Sequence, residues 1–455
     1  MTPGDAPPNG GVLPSVRVNL LWVLNGRLFQ LVLSFVVSIV VARYLGPDRL
    51  GVLGFAIAFA GLFTPLGVIG GELVVRDLST LDEGQQQGHV LGSAALVGGI
   101  SGFVTFGISV AFAAVFLRSN PTLFVATVLM STPLMLSPVR AIEFWFEARL
   151  QGRYLTLATG IAASVSAMAR LLLIVGHAGI VAFALVLAAE QFLAAILTVI
   201  YYWRDRDRPR RWSFTRQQAI SFVRQSAPLL VAGLAIAFYM KVDQVMLGVL
   251  SSEHQAGLYA AVSRLSEASY FIPVAIAASF APGVARARAT DAGLYSAQVD
   301  RLLTVLAAAG SAIAIPLALV SVPLTVILLG PAFSGAGPVL AVHALSAIFI
   351  YLGVGSTVWM TNERLQSLYM WRTLGGAVLN VGLNFVLIPW LGALGAAIAT
   401  LVAYAFASVF SNGLNRRTRP LLVRQLRALR PVPMVRLGLT EGATILRSLR
   451  SARSR

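Results

Sequence analysis

Twelve apolar stretches, most of them longer than twenty residues, recur along this chain, and that recurrence leaves few folds open. A helix needs about 20 apolar residues to cross the hydrocarbon of a bilayer. Inside it every backbone N–H and C=O must find a partner within the protein, so such stretches become helices. They run approximately over 20–43, 50–72, 90–117, 122–146, 155–176, 179–202, 226–250, 256–282, 302–329, 338–361, 367–389 and 393–414. Pro65, Pro133, Pro138, Pro273, Pro316 and Pro323 fall inside several of them and predict bends. The composition agrees. Of 455 residues 57% are hydrophobic and 12% charged, against roughly 25% charged in a soluble domain. The mean hydropathy is +0.78. The fold class is therefore an all-α integral membrane protein of about 12 transmembrane helices.

Several chemistries are excluded at once. The absence of cysteine removes disulfides, thiol nucleophiles and cysteine-ligated zinc. The one lysine, Lys241, follows Met240, so no Walker A loop exists. His89, His177, His254 and His343 lie far apart and form no His-x-x-x-His pair. No ATPase, hydrolase or metal site is expected; the chain reads as a transporter driven downhill or by an ion gradient. The opening "MTPGDAPPNGG" lacks a basic segment followed by an apolar one and is expected to be a disordered lead, 1–19, rather than a signal peptide.

Charge placement gives an orientation. With the N-terminus inside, the inner segments hold 25 arginines and the outer loops three, Arg43, Arg49 and Arg118. The positive-inside rule then predicts both termini in the cytoplasm and an even number of spans. The net charge of +17 carries no nucleic-acid implication, because residues 416–455 alone hold eleven arginines and one glutamate. In that tail, 415–455, "LLVRQLRALR" (421–430) places leucine and arginine at helical spacing. It predicts an amphipathic helix on the anionic inner leaflet.

The chain also repeats itself. "EARLQGRY" from Glu147 and "NERLQSLY" from Asn362 share Arg, Leu, Gln and Tyr at an offset of 215. "AGIVAFA" from Ala178 corresponds to "LGAAIAT" from Leu394. A weaker match sets "MLG" (246–248) on "YLG" (44–46), an offset of 202 that places Lys241 and Asp243 opposite Ile39 and Val41. Two six-helix lobes in the same orientation are expected, 20–202 and 226–414. A parallel pseudo-two-fold repeat relates them, with a cavity between them. Residues 203–225, opening "WRDRDRPRRWSF", are expected to be a cytoplasmic linker of mixed charge.

Three stretches carry a resemblance. "ARYLGPDRLGVLGFAIAFAGLFTPLGVIGGELVVRDLS" (42–79), "SAPLLVAGLAIAFYMKVDQVMLGVLSSEHQAGLYAAVSRLSEASYFIP" (226–273) and "NERLQSLYMWRTLGGAVLNVGLNFVLIPWLGALGAAIAT" (362–400) resemble, in that order, signatures of Wzx-type polysaccharide flippases. These form the polysaccharide transport branch of the multidrug/oligosaccharidyl-lipid/polysaccharide exporter superfamily. The resemblance implies alternating access in a bacterial plasma membrane. It also implies export to the outer leaflet of a polyprenyl-pyrophosphate-linked oligosaccharide, for cell-surface polysaccharide assembly. A polysaccharide polymerase or glycosyltransferases are the implied partners.

Ionisable side chains within a span cost about 2.5–3.5 kcal/mol each and so mark function or pairing. Arg27 and Arg372 lie in the predicted inner half, Lys241 and Arg264 further out. All four are candidate ligands for a pyrophosphate, which guanidinium donors match well. Asp243, Glu190 and Glu267 are the carboxylates able to carry a coupling proton or Na⁺. The plainer readings are specific too. Arg264 and Glu267 are three apart and can pair on one face. Lys241, Arg27 and Arg372 can snorkel to headgroups. Asn380 and Asn384 can hydrogen-bond between helices. Lys241 and Asp243, two apart, point to different faces and each needs a partner elsewhere. A drug/cation antiporter on the same plan remains the alternative, though it calls for a cavity richer in carboxylates. A membrane polymerase or glycosyltransferase is disfavoured, because no outer loop is long enough to hold its chemistry.

Overall fold

The computed structural model describes residues 12–67, 70–81, 85–209 and 211–430. The N-terminal lead up to residue 11 and the arginine-rich stretch after 430 lie outside the described residues. Within them there are helices and no strands. The helices in chain order are α1 (Val12–Gly67), α2 (Gly71–Thr80), α3 (Gln85–Phe116), α4 (Pro121–Ser131), α5 (Arg140–Ala148), α6 (Gly152–Val175), α7 (Ile180–Arg204) and α8 (Arg216–Leu250). They continue with α9 (Glu253–Glu267), α10 (Phe271–Thr290), α11 (Ala292–Leu319), α12 (Ser321–Leu329), α13 (Ala336–Asn362), α14 (Gln366–Leu391), α15 (Ala393–Ser408) and α16 (Arg419–Ala428).

Eleven of the described segments are long and apolar enough to cross a membrane. The first, Asn25–Gly67, is 43 residues long, about twice what one crossing needs. It breaks at Gly46, where φ is 70° and ψ 173°. Only glycine takes that φ cheaply, and Pro47 behind it has no N–H to lose at a helix start. The two arms supply two crossings, which brings the total to the twelve expected from the apolar stretches.

Boundaries move where proline intervenes. The ninth span, expected over 302–329, is α11 from Ala292 to Leu319, and α12 is a separate short helix. Pro323 is four residues beyond Leu319, so its ring would strike the Leu319 carbonyl of a continuous helix. Between α4 and α5, Thr132–Val139 tightens to a 3₁₀ segment that carries Pro133 and Pro138. Each proline frees the carbonyl four residues back, and the hydroxyl just before it fills the gap. Thr132 Oγ1 donates to Leu129 O and Ser137 Oγ to Leu134 O, both at 2.8 Å. Hydrocarbon tolerates the bend more readily because these hydroxyls partner carbonyls that the prolines cannot.

Two compact units result. One runs to Ala237 without Gly46–Gly51; the other comprises Gly46–Gly51 and the chain from Phe238. The division thus falls inside α8. The connection before α8 is pinned to the first unit. Trp212 Nε1 donates to the Tyr202 hydroxyl at 2.7 Å, Trp145 Nε1 to Asp205 at 3.1 Å, and Ser213 N to Gly88 O at 3.2 Å. These contacts frame an aromatic core of Trp145, Phe146, Tyr202 and Phe222. The opening of the expected linker is thus packed on the first unit. In the second unit the core runs along α11, α13 and α16, through Val299, Leu303, Leu352, Met360 and Leu421.

The repeat is visible in torsion angles. Leu150 and Arg364 both sit in the left-handed region, at φ 54° and 57°. Around each, three backbone hydrogen bonds recur: Arg149→Trp145, Leu150→Glu147 and Gln151→Phe146 in one, Glu363→Trp359, Arg364→Thr361 and Leu365→Met360 in the other. The offset is 214, one less than the letters "RLQ" imply. His177, at φ 52°, closes α6 with the same three-bond pattern, whereas Gly392, 215 residues on, shares only the positive φ, its ψ being −130°. At the other end the register is 206 rather than 202. Gly51 and Gly257 lie at a crossing where a Cβ on the first would collide with Glu253 O and one on the second with Pro47 O. Pro47 and Glu253 are also 206 apart, so the crossing is locally two-fold. The earlier register followed a shared "LG", whereas the backbone aligns helix starts, Gly46 with Ser252. Lys241 and Asp243 then fall opposite Phe35 and Val37, which are as apolar as the residues first assigned.

Backbone cannot rotate out of the way of a new side chain at this crossing. Gly257→Ala should cost about 1–3 kcal/mol, the usual range for overpacking. It would be read as a lower thermal unfolding midpoint in lipid nanodiscs. The same change at Gly382, which has nothing within 4 Å of its would-be Cβ, should be neutral or slightly stabilising.

Candidate functional site

Asp243 lies two turns before the end of α8 and is 3% exposed. Four helices meet on it. Asn384 of α14 donates from Nδ2 to Oδ1 at 2.6 Å. Tyr259 of α9 and Thr400 of α15 donate from their hydroxyls to Oδ2 at 2.8 and 2.5 Å. Tyr259 and Thr400 also touch each other at 3.0 Å. Asn380, one turn before Asn384 on the same face of α14, accepts from its Nδ2 at 3.2 Å. Among the described residues no lysine, arginine or histidine lies within ion-pair distance of Asp243. Its carboxylate is thus enclosed by neutral donors. Asn384 Oδ1 is buried there and has no partner. The cluster offers carboxylate, amide and hydroxyl oxygens at one point, the ligand type that hard cations prefer.

Glu267, at the end of α9, stands in the field of the same cluster. The largest opposite charge acting on it is Lys241, followed by Arg264, with Asp243 opposing. Lys241 thus acts on Glu267 together with Arg264, the residue expected to couple with it. Lys241, Asp243, Arg264 and Glu267 form one electrostatic group within the second unit. Aromatic side chains frame it: Tyr239 meets Tyr404 edge-on at 4.7 Å, and the buried hydroxyls of Tyr239 and Tyr270 have no partner. His343 Nδ1 lies 2.7 Å from Ser266 Oγ, and its ring meets that of Tyr259 at 5.4 Å.

The remaining candidates have other partners. Arg372, on α14, is 9% exposed and does not snorkel. It stacks over Tyr369 at 4.9 Å and reaches Asn412 Oδ1 at 3.5 Å, with no carboxylate within ion-pair distance among the described residues. Arg27 belongs to the first unit, is exposed, and acts electrostatically on Glu147 at the end of α5. Glu190 is paired with Arg170 of the adjacent α6 at 3.6 Å. That partnership accounts for its place in the membrane without a transported ion.

Comparison with known proteins places this arrangement. Residues 16–286, more than half the chain, match the family described as polysaccharide biosynthesis protein. The chain belongs to that family. A probable flippase, AglR of Haloferax volcanii, is 30% identical over 205 residues, covering 43% of this chain and 42% of the relative. The chain thus spans less than half the length of the curated relative it matches. The fold is that of solved transporters. A structure of lipid II flippase MurJ in an inward closed conformation superposes with TM-score 0.71 at 13% identity, covering 94% of this chain and 99% of that one. An inward-facing multidrug resistance MATE family transporter of the MOP superfamily gives 0.65 at 12%, covering 91% and 96%.

For a member of the polysaccharide biosynthesis family, sequence reasoning found Asp243 and Asn384 but missed Tyr259 and Thr400. Their only sequence signal is a hydroxyl one or two turns into an apolar helix, which most membrane helices also show. Arg170 and Glu190 give the pairing a direct test. Arg170→Gln leaves a largely buried glutamate unpaired and should cost about 1–3 kcal/mol, discounted for partial exposure. The double change Arg170→Gln/Glu190→Gln should recover most of that loss in a thermal unfolding series.

Proposed function

We propose that this protein is a flippase. It moves a polyprenyl-pyrophosphate-linked oligosaccharide from the inner to the outer leaflet of a bacterial plasma membrane by alternating access, with both termini in the cytoplasm. Family membership and the names of its relatives support the transporter reading. The observation that carries the anionic substrate is Arg372: a buried guanidinium on a membrane helix with no carboxylate among the described residues to neutralise it. A cation left in that position is costly unless an anion visits it. Lys241 and Arg264 add cationic character to the same unit, and Arg27 to the first. A drug/cation antiporter would instead rely on unpaired acidic groups; here Glu190 is paired and Glu267 lies in the field of Lys241 and Arg264, which leaves only Asp243 of the three candidates without a cation among the described residues.

The same reading assigns coupling to Asp243. A carboxylate held by two hydroxyls and an amide can take up a proton or Na⁺ in one state and release it in another. Such binding stabilises the liganded state by RT ln(1 + [L]/Kd), about 2.7 kcal/mol at a hundredfold excess over Kd. Glycosyltransferases or a polymerase acting on the same lipid-linked glycan are the natural partners.

The decisive measurement is leaflet-resolved accessibility of a pyrophosphate-linked glycolipid in proteoliposomes with and without the protein. Accelerated transfer is expected, and transfer no faster than in empty vesicles would sink the proposal. Asp243→Asn should remove dependence on an imposed ion gradient. If Na⁺ is the ion, it should raise the unfolding midpoint of the parent protein but not of Asp243→Asn or Thr400→Val, and K⁺ should raise neither.

A further inference from the structure

Gln425 sits in α16, a helix whose exposed face carries arginine, and yet it is fully buried. Its side chain enters the second unit between α13 and α15. Nε2 donates to Ser408 O at 2.9 Å and to Ser356 Oγ at 2.7 Å, and lies 3.5 Å from Leu352 O. Backbone carbonyls only accept, so this end of the amide must be the NH₂ group. Its Oε1 then faces the other way and accepts from Asn412 Nδ2 at 2.9 Å. Asn412 Nδ2 also donates to Ser408 O at 3.1 Å, so both its hydrogens are used. Asn412 Oδ1 is left with one direction, toward Arg372 Nη1 at 3.5 Å.

Amide polarity is thus transmitted outward from two fixed carbonyls, through Gln425 and Asn412, to the guanidinium. The last contact is long for a hydrogen bond, so it orients Arg372 while leaving its donors free for another oxyanion. Gln425 Oε1 and Ser408 O together hold the Asn412 amide in this orientation; without Gln425 only Ser408 O does. The helix itself is held by Arg424, which reaches Asp300 and Ser296 Oγ at 2.8 Å. The expected interfacial helix therefore docks on the protein through Leu421, Gln425 and Ala428.

We infer that Gln425 is a positioning residue: through Asn412 it holds Arg372 as the receptor for the phosphate of the lipid-linked substrate. This rests on the assignment of Arg372 made under the proposed function. The test compares binding of geranylgeranyl pyrophosphate and of geranylgeraniol to the full-length protein in nanodiscs by calorimetry. The affinity ratio of the two probes isolates recognition of the phosphate, and a merely structural defect would weaken both alike. Arg372→Gln should collapse the ratio. Gln425→Met, which keeps length and burial but removes the amide, should lower it roughly tenfold, the order of one charge-assisted hydrogen bond. Asn412→Leu breaks the same relay independently and should do likewise. The double change Gln425→Met/Arg372→Gln should be no worse than Arg372→Gln alone, and the exposed Arg427→Gln should leave the ratio unchanged. A ratio that falls in Arg372→Gln but not in Gln425→Met or Asn412→Leu overturns the inference and spares the receptor. A ratio untouched by Arg372→Gln overturns the receptor assignment itself.

Discussion

Hydrocarbon offers no partner to a peptide group, and the rest of this structure depends on that constraint. It makes every span a helix and turns each interruption into a problem of finding substitute partners. Where Pro133 and Pro138 remove two N–H groups, Thr132 and Ser137 supply hydroxyls to the freed carbonyls. Where the first long helix must reverse, Gly46 takes a φ that other residues avoid and Pro47 restarts the helix without an N–H to place. The same accounting governs side chains. Asp243 is tolerated in the interior because three donors converge on it from three other helices.

That logic separates the two units. The second concentrates the buried charge, and by the backbone register its Lys241 and Asp243 correspond to Phe35 and Val37 in the first. One unit keeps an apolar interior where the other has built a polar cluster. In the first unit Arg170 and Glu190 answer each other. The arrangement is symmetric in backbone and asymmetric in charge.

Much of the fold was legible because apolar length is a strong signal: twelve crossings, the repeat and the divergent faces of Lys241 and Asp243 all follow from the letters. What was not legible depends on three-dimensional partners. Glu190 reads as a free carboxylate until Arg170 on the next helix is placed beside it. Arg372 reads as a snorkelling side chain until its burial against Asn412 and Tyr369 is seen. Leu421–Arg430 has the periodicity of a surface helix, and nothing in that periodicity reveals that Gln425 is the residue that enters the protein. Proline-set boundaries, by contrast, were recoverable in principle, since Pro323 marks the end of α11 by the i−4 clash alone.

The left-handed turns at Leu150 and Arg364 bear on how such proteins are compared. Neither residue is glycine, and each pays for its conformation, by about 1 kcal/mol or more. The turn persists at the same point of both halves although the side chains there, a leucine and an arginine, have nothing in common. Packing on either side dictates the torsion, and the amino acid merely submits to it. Ancestry in this chain is therefore written more durably in angles than in letters. Alignments anchored on the strained turns, at an offset of 214, should outlast those anchored on matching residues.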